Sequence, residues 1–201
     1  MNLSHLSIDQ KLDLIFNLYD KHGNEDYIGE PVSQLEHMYQ SALLAQSEGR
    51  DEQVVLAAFF HDIGHLITHL IKTDSMSGFG VKRHEIIGAN FLRELGFPEK
   101  IALLVENHVQ AKRYLTFISP DYYQLLSEAS RQTLRYQGGP MNEKEAQDFE
   151  NHELFKLSLA MRKWDEEAKE ENIPVGNLHT FREMAFHILS TASDSEKKSD
   201  L

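Results

Sequence analysis

The sequence predicts an all-α fold built as a single bundle-like domain. Three observations lead there. Hydrophobic residues recur at three- and four-residue spacing behind Ser, Asp and Asn caps. No alternating apolar–polar run is long enough for a strand, and no internal repeat is visible. The length of 201 residues, 41% of them hydrophobic, suits one domain with a buried core.

Ser7-Ile8-Asp9-Gln10 is a capping box, and Ile8, Leu12, Ile15, Phe16 and Tyr19 follow at helical spacing until Gly23 can end the helix. Ser33-Gln34-Leu35-Glu36, just after Pro31, opens a second helix to about Gly49. Asp51 starts a third, expected to run through Val54, Ala58 and His61 to about His69. Residues 72–80 hold Gly, Ser and Asp and read as a loop. A fourth helix carries His84, Ile87, Gly88, Phe91 and Leu95, stopping at Gly96 with Pro98 beyond. A fifth runs from Pro98, with Ile101, Leu104, Val105, His108 and Lys112 on one stripe. Pro120 opens a short helical stretch around Tyr123 and Leu126, and Gly138-Gly139-Pro140 is a turn. Asn142-Glu143-Lys144-Glu145 is another capping box, and Leu154, Leu157, Ser158, Met161 and Asp165 mark a long helix. The last helix is expected around Thr180 to Leu189. The domain is therefore drawn at 1–190, with 191–201 as a polar tail expected to fray.

Charge removes several functions. Twenty basic against 32 acidic residues leave a net charge of −12, which argues against nucleic acid and anionic membranes as partners. There is no cysteine, hence no disulfide framework, thiolate metal site or thiol nucleophile. The N-terminus lacks a basic segment followed by an apolar run, and no stretch approaches the roughly 20 apolar residues of a membrane span. A cytoplasmic enzyme fits these features.

Eleven histidines stand out. His61-Asp62 ends the apolar run Val54-Val55-Leu56-Ala57-Ala58-Phe59-Phe60, where an unpaired carboxylate would cost several kcal/mol. A metal is the strongest available partner. Adjacent helix positions diverge by about 100°, so one ion can hold both side chains while the second Asp oxygen reaches another. His37 lies near the start of the second helix, His84 opens the fourth, His108 is on the stripe of the fifth, and Asp165 follows Trp164. Any one of these alone is more simply a core or surface residue. Together, four imidazoles and two carboxylates without sulfur suit two transition metals bridged by a carboxylate. His65, one turn past His61, is better placed to orient a ligand or bridging oxygen. His5, His22, His69, His152, His179 and His187 have no such context. Lys112 follows His108 by four residues and Arg162 precedes Asp165 by three, so each shares a face with a candidate ligand. Positive charge focused in a pocket of an acidic protein suits an anionic substrate.

The order His37, His61-Asp62, His84, His108, Asp165 resembles the HD-domain superfamily of metal-dependent phosphohydrolases and its oxygenase branch. Further stretches are similar to the PhnZ-like family of mixed-valent diiron oxygenases, which cleave the carbon–phosphorus bond of 2-amino-1-hydroxyethylphosphonate. They are Asp26-Tyr27-Ile28-Gly29-Glu30, Gln34-Leu35-Glu36-His37, His61-Asp62-Ile63-Gly64-His65 and Gly78-Phe79-Gly80. His108-Val109-Gln110-Ala111-Lys112-Arg113-Tyr114-Leu115, Tyr136-Gln137-Gly138-Gly139-Pro140-Met141 and Trp164-Asp165 complete the set. The match runs from about Tyr27 to Asp165. The first helix, residues 66–77 and the C-terminal segment are less similar.

The resemblance implies two irons, Fe(II)/Fe(III), with dioxygen as co-substrate. His37, His61, Asp62 and Asp165 would hold one iron, and Asp62, His84 and His108 the other, with Asp62 bridging. Tyr27 would occupy a metal position in the resting site, and Glu30 would turn toward the substrate amine as Tyr27 leaves. Lys112, Ser130 and Arg162 would receive the phosphonate. The implied activity is oxidative cleavage of a small 1-hydroxy-2-aminoethylphosphonate, or its N-methylated relative, to phosphate and glycine or glycine betaine. The main alternative is a phosphohydrolase that uses the same ligands on a phosphate ester or nucleotide. An inositol-oxygenase-like activity and a ligand-binding module without turnover are further rivals.

Overall fold

The computed structural model describes residues 3–27 and 29–199, with side chains to residue 193. Ile28 of the resemblance segment and the last two residues of the expected tail lie outside them. Eleven α-helices and no sheet occur among the described residues. The three capping boxes form as the sequence predicts. Ser7 and Gln10 open α1 (Ile8–His22), Ser33 and Glu36 open α2 (Gln34–Ser47), and Asn142 and Glu145 open α9 (Glu143–Glu150). Each pairs two orphan N–H donors of a helix start.

The centre of the bundle is α3 (Glu52–Phe60), capped by Asp51. Every residue from Val54 to Phe60 is buried, as a helix apolar all round must be. It packs against α2, α6 (Glu99–Ile118), α10 (Phe155–Glu167) and α11 (His179–Ser199). The expected helix from Asp51 to His69 does not run through. It stops at Phe60, Asp62 leaves helical geometry at φ −107°, ψ 11°, and a short α4 (Ile63–Leu66) and a 3-10 turn (Ile67–His69) follow. The break has a clear consequence: His61 and Asp62 need not diverge by the helical 100°, and both can face one point.

Helix α5 (His84–Glu94) lies against α4 and α6. Its start is set by Arg83, a non-glycine residue at φ 61°, a costly conformation that the loop before it must hold. After α6 come α7 (Pro120–Leu125) and α8 (Glu128–Tyr136). The sequence pattern does not reveal α8, because only Ser130 and Leu134 are buried on it. Arg113 fastens the following turn: its Nε donates to the Gly139 carbonyl at 3.0 Å, and the Met141 N–H donates to the Arg113 carbonyl at 3.1 Å. Both Gly138 and Gly139 have positive φ there, at 99° and 73°, which glycine adopts at little cost. Finally α11 extends past Leu189 to Ser199, so residues 191–199 continue a helix where the sequence suggested fraying. No described helix is long and apolar enough to cross a membrane.

Candidate metal centre

Four helix segments and one break converge on a buried polar centre. His37 comes from α2, His61 and Asp62 from the break after α3, His84 from the start of α5, His108 from α6 and Asp165 from α10. All six are buried among the packed helices. The donors form two groups that share Asp62: His37 with His61, and His84 with His108. Asp62 Oδ2 lies 3.6 Å from His37 Nε2 and 3.5 Å from His61 Nε2. Its other oxygen, Oδ1, lies 3.1 Å from His84 Nε2 and 3.5 Å from His108 Nε2. Asp165 Oδ1 joins the first group, 3.3 Å from His37 Nε2 and 3.9 Å from His61 Nε2.

The backs of the rings fix what faces inward. Nδ1 of His37 reaches the Ala168 carbonyl at 2.9 Å, that of His61 the Ala58 carbonyl at 2.8 Å, and that of His108 the Val105 carbonyl at 2.6 Å. An Nδ1–H donating to a carbonyl leaves the Nε2 lone pair pointing to the centre. Yet His37 and His61 Nε2 are only 3.0 Å apart, as are His84 and His108 Nε2 at 3.2 Å. At His37 and His61 two lone pairs face each other and repel unless a cation lies between them. Bonds of about 2.1 Å to one ion place neighbouring donors about 3.0–3.4 Å apart, which is the spacing found. Asp62 Oδ1 and Asp165 Oδ1 are buried with no hydrogen-bond donor, a costly state that a cation relieves. The six residues therefore fit two metal ions with a shared carboxylate.

Electrostatics point the same way. Burial raises the Asp62 carboxyl, but His61 and His84 outweigh it and hold it well below the usual carboxylate range. Burial also raises Asp165, and Arg162 and His37 pull it far down. Both stay ionised. Burial dominates at His61 and His108, keeping them neutral, with His108 lowered to about 3. Ionised carboxylates and neutral imidazoles are the forms that bind metals; at His84 burial is outweighed by the Asp62 and Glu85 carboxylates, which raise the pKa, so a metal there would displace a proton.

Tyr27 stacks on His37, ring centroids 4.0 Å apart and 13° between planes. Burial first, then the Asp62 and Asp165 carboxylates, raise its phenol well above the ordinary value, so it stays protonated. His65 does not lie one helical turn beyond His61, because the helix breaks. It stacks on His84 at 4.2 Å and accepts the Val81 N–H on Nδ1 at 3.1 Å, so it supports that ring by packing. A narrow pocket opens on the centre and is lined by Tyr27, Glu30, Lys112, Ser130 and Arg162. It thus gathers all the residues that the resemblance assigned to substrate. Gln34, Thr133 and Gln137 line it as well; Gln34 and Gln137 lie in stretches that carry the resemblance but have no role assigned there, and sequence reasoning did not single out Thr133. Gln137 was within reach, since it precedes the Gly-Gly-Pro turn that Arg113 fastens.

Two partners alter expectations. The Arg162 guanidinium pairs with Asp165 and with Glu166 Oε1 at 2.8 Å, while its Nη2 lacks a partner. Lys112 Nζ donates to Thr133 Oγ1 at 3.0 Å; burial, then the neighbouring Arg162 charge, lower its pKa to about 7. Glu30 binds neither ion group: its Oε1 accepts from Lys169 Nζ and from Ser127 Oγ, both at 2.6 Å.

His22, Glu25 and His69 make a further cluster on the surface. Their two rings are stacked face to face, 3.5 Å apart with 7° between planes. An ion in the plane of one ring would lie well out of the plane of the other, so this arrangement suits a shared hydrogen bond to Glu25 rather than coordination.

Metal binding should couple to stability, because only the folded chain brings these donors together. Adding Fe(II) or Mn(II) to chelator-treated protein is expected to raise the melting temperature by about 5 °C or more at saturating metal. The shift should disappear when Mg(II), which prefers all-oxygen ligands, replaces them. A melting curve indifferent to all three ions would count against the centre.

The HD-domain family signature matches residues 35–149. The chain is 43% identical to an uncharacterized protein of Acanthamoeba polyphaga mimivirus, covering 94% of this chain and 86% of the relative. It is 37% identical to a (1-hydroxy-2-(trimethylamino)ethyl)phosphonate dioxygenase (glycine-betaine-forming) of Leisingera caerulea, over 91% of this chain and 92% of that one. It is 33% identical to a hydroxymethylphosphonate dioxygenase of Gimesia maris, over 86% and 85%. Together with the shared-carboxylate arrangement of its buried donors, these similarities show that the chain belongs to the HD-domain family and, within it, to the PhnZ-like HD oxygenases.

Proposed function

We propose that the protein is an oxygenase that cleaves the carbon–phosphorus bond of a small 1-hydroxyphosphonate, using an Fe(II)/Fe(III) pair and dioxygen. The substrates favoured by the resemblance are 1-hydroxy-2-aminoethylphosphonate and its N-methylated relative. The single observation that carries this reading is the pocket itself: buried Lys112 and Arg162 stand over two groups of N/O donors that share Asp62. Bound iron would supply Lewis acidity and redox capacity.

The chain's own residues supply binding and orientation. The Arg162 Nη2 that lacks a partner can donate to a phosphonate oxygen. Lys112 and Thr133 offer a linked ammonium and hydroxyl on the same wall. The Ser130 hydroxyl is a further donor, on the helix that closes that side. Tyr27, stacked on His37, covers the centre from the loop that also carries Glu30. Its protonated phenol is free to withdraw without leaving a buried charge. His65, held by the Val81 N–H, stacks on the His84 ring and supports it.

The overall change balances without an external reductant. 1-Hydroxy-2-aminoethylphosphonate plus one O2 has the atoms of glycine plus phosphate. The carbon bearing the hydroxyl is oxidised to a carboxyl, and dioxygen is reduced. Iron-loaded protein is expected to release one phosphate per O2 consumed, and to show a low-temperature EPR signal of a mixed-valent iron pair. Equal phosphate release without oxygen would overturn this proposal in favour of the hydrolase.

A further inference from the structure

Lys169 sits where sequence reasoning assigned nothing. It follows Ala168, whose carbonyl accepts His37 Nδ1–H, and precedes Glu170, which exchanges two hydrogen bonds with the Gln40 side chain at 2.9 and 3.0 Å. Its backbone is therefore anchored on both sides by α2. From that fixed point its ammonium reaches Glu30 Oε1 at 2.6 Å, and both side chains are largely sheltered, 17% and 10% exposed. Ser127, the N-cap of α8, donates to the same oxygen at 2.6 Å. Glu30, Ser130 and Arg162 line both the pocket over the metal centre and a second cavity outside it, which Lys169 also lines. The Glu30–Lys169 pair thus stands at the boundary between the two.

We propose that Lys169 is a positioning residue that sets selectivity for charge at the far end of the substrate. This rests on the phosphonate reading above. Lys169 supplies Glu30 with an ammonium of the protein's own. A substrate that carries its own cation must compete for the same carboxylate and face the Lys169 charge beside it. A 1-hydroxyphosphonate without a cation meets neither obstacle, and its anionic headgroup gains from one more positive charge nearby. The backbone beside Lys169 is anchored, whereas Glu30 lies on the loop with Tyr27, so pairing with a cationic substrate requires the Glu30–Lys169 contact to open.

The test compares affinities of iron-loaded protein under anaerobic conditions, by calorimetry. The probes are hydroxymethylphosphonate and 1-hydroxy-2-(trimethylamino)ethylphosphonate, with wild type, Lys169→Met and Lys169→Arg. Removing a like charge a few Å from the substrate cation should shift the affinity ratio about tenfold toward the ammonium compound in Lys169→Met. Lys169→Arg, which keeps the charge, should restore most of the wild-type ratio, an outcome that a merely structural role would not produce. If both compounds bind and the ratio is the same in wild type and Lys169→Met, the selectivity role is overturned and the phosphonate reading stands. If neither compound binds to wild type or variant, the phosphonate reading falls and this inference with it.

Discussion

Replacing Asp62 by Ala is expected to abolish binding at both metal positions and to cut activity by a factor on the order of 10³ or more. Among the described residues, Asp62 alone belongs to both buried donor groups. Its two oxygens face opposite groups, Oδ2 toward His37 and His61 and Oδ1 toward His84 and His108, at 3.1–3.6 Å. Removing the carboxylate deletes a donor from each group and the negative charge between four imidazoles. Loss of His84 alone, by contrast, should spare the group of His37 and His61. The measurement is metal content per chain after loading and desalting. Asp62→Ala should retain little, whereas His84→Ala should keep roughly half the wild-type amount. A variant lacking Asp62 that still holds the full wild-type complement would disprove the shared-carboxylate arrangement. The stabilisation by Fe(II) described above should vanish in the same variant, which gives an independent readout in melting temperature.

The second large effect comes from a residue with no side chain. A Cβ on Gly64 would lie 2.0 Å from the His84 carbonyl oxygen and 2.9 Å from its Cα. Gly88 faces it from α5, where a Cβ would come within 3.2 Å of the Gly64 nitrogen. These two glycines let α4 and α5 approach backbone to backbone. Neither neighbour can yield by rotating a side chain, so in Gly64→Ala the whole start of α5 must move. We expect a loss of roughly 3 kcal/mol or more, seen as a melting temperature lower by about 6–12 °C. Because His84 begins α5, its Nε2 would leave the 3.1 Å approach to Asp62, and the position formed with His108 should empty first. Gly49→Ala is the control: it has positive φ, 70°, but nothing near its Cβ. It should cost only about 1 kcal/mol, from backbone strain. Equal melting temperatures for the two variants would contradict the close approach of α4 and α5.

The contrast between what was legible and what was not follows from distance along the chain. The three capping boxes join residues three apart, and each forms as read. Val54 to Phe60 is apolar throughout and is the buried centre of the bundle. The break at Asp62 was not legible, because nothing local opposes a helix there; Asp62 turns aside where four other helices bring their donors. Helix α8 escaped because its apolar stripe is too thin, resting on Leu134 and little else. Lys169 escaped because it sits among Glu166, Glu167, Glu170 and Glu171, a run that reads as solvated charge until Glu30, 139 residues earlier, is brought to it.

The amino-acid order alone determined an all-α chain, the places where most helices begin, and a candidate set of imidazoles and carboxylates for metal, since hydrophobic spacing, caps and donor chemistry are local properties. Only the folded chain decided which oxygen of Asp62 serves which pair of histidines, that His65 packs on His84 instead of following His61, and that Glu30 faces a lysine. Those are outcomes of packing between segments as far apart as His37 and Ala168, 131 residues along the chain, and contact at that range is set by how helices bury their faces together, which no local pattern encodes.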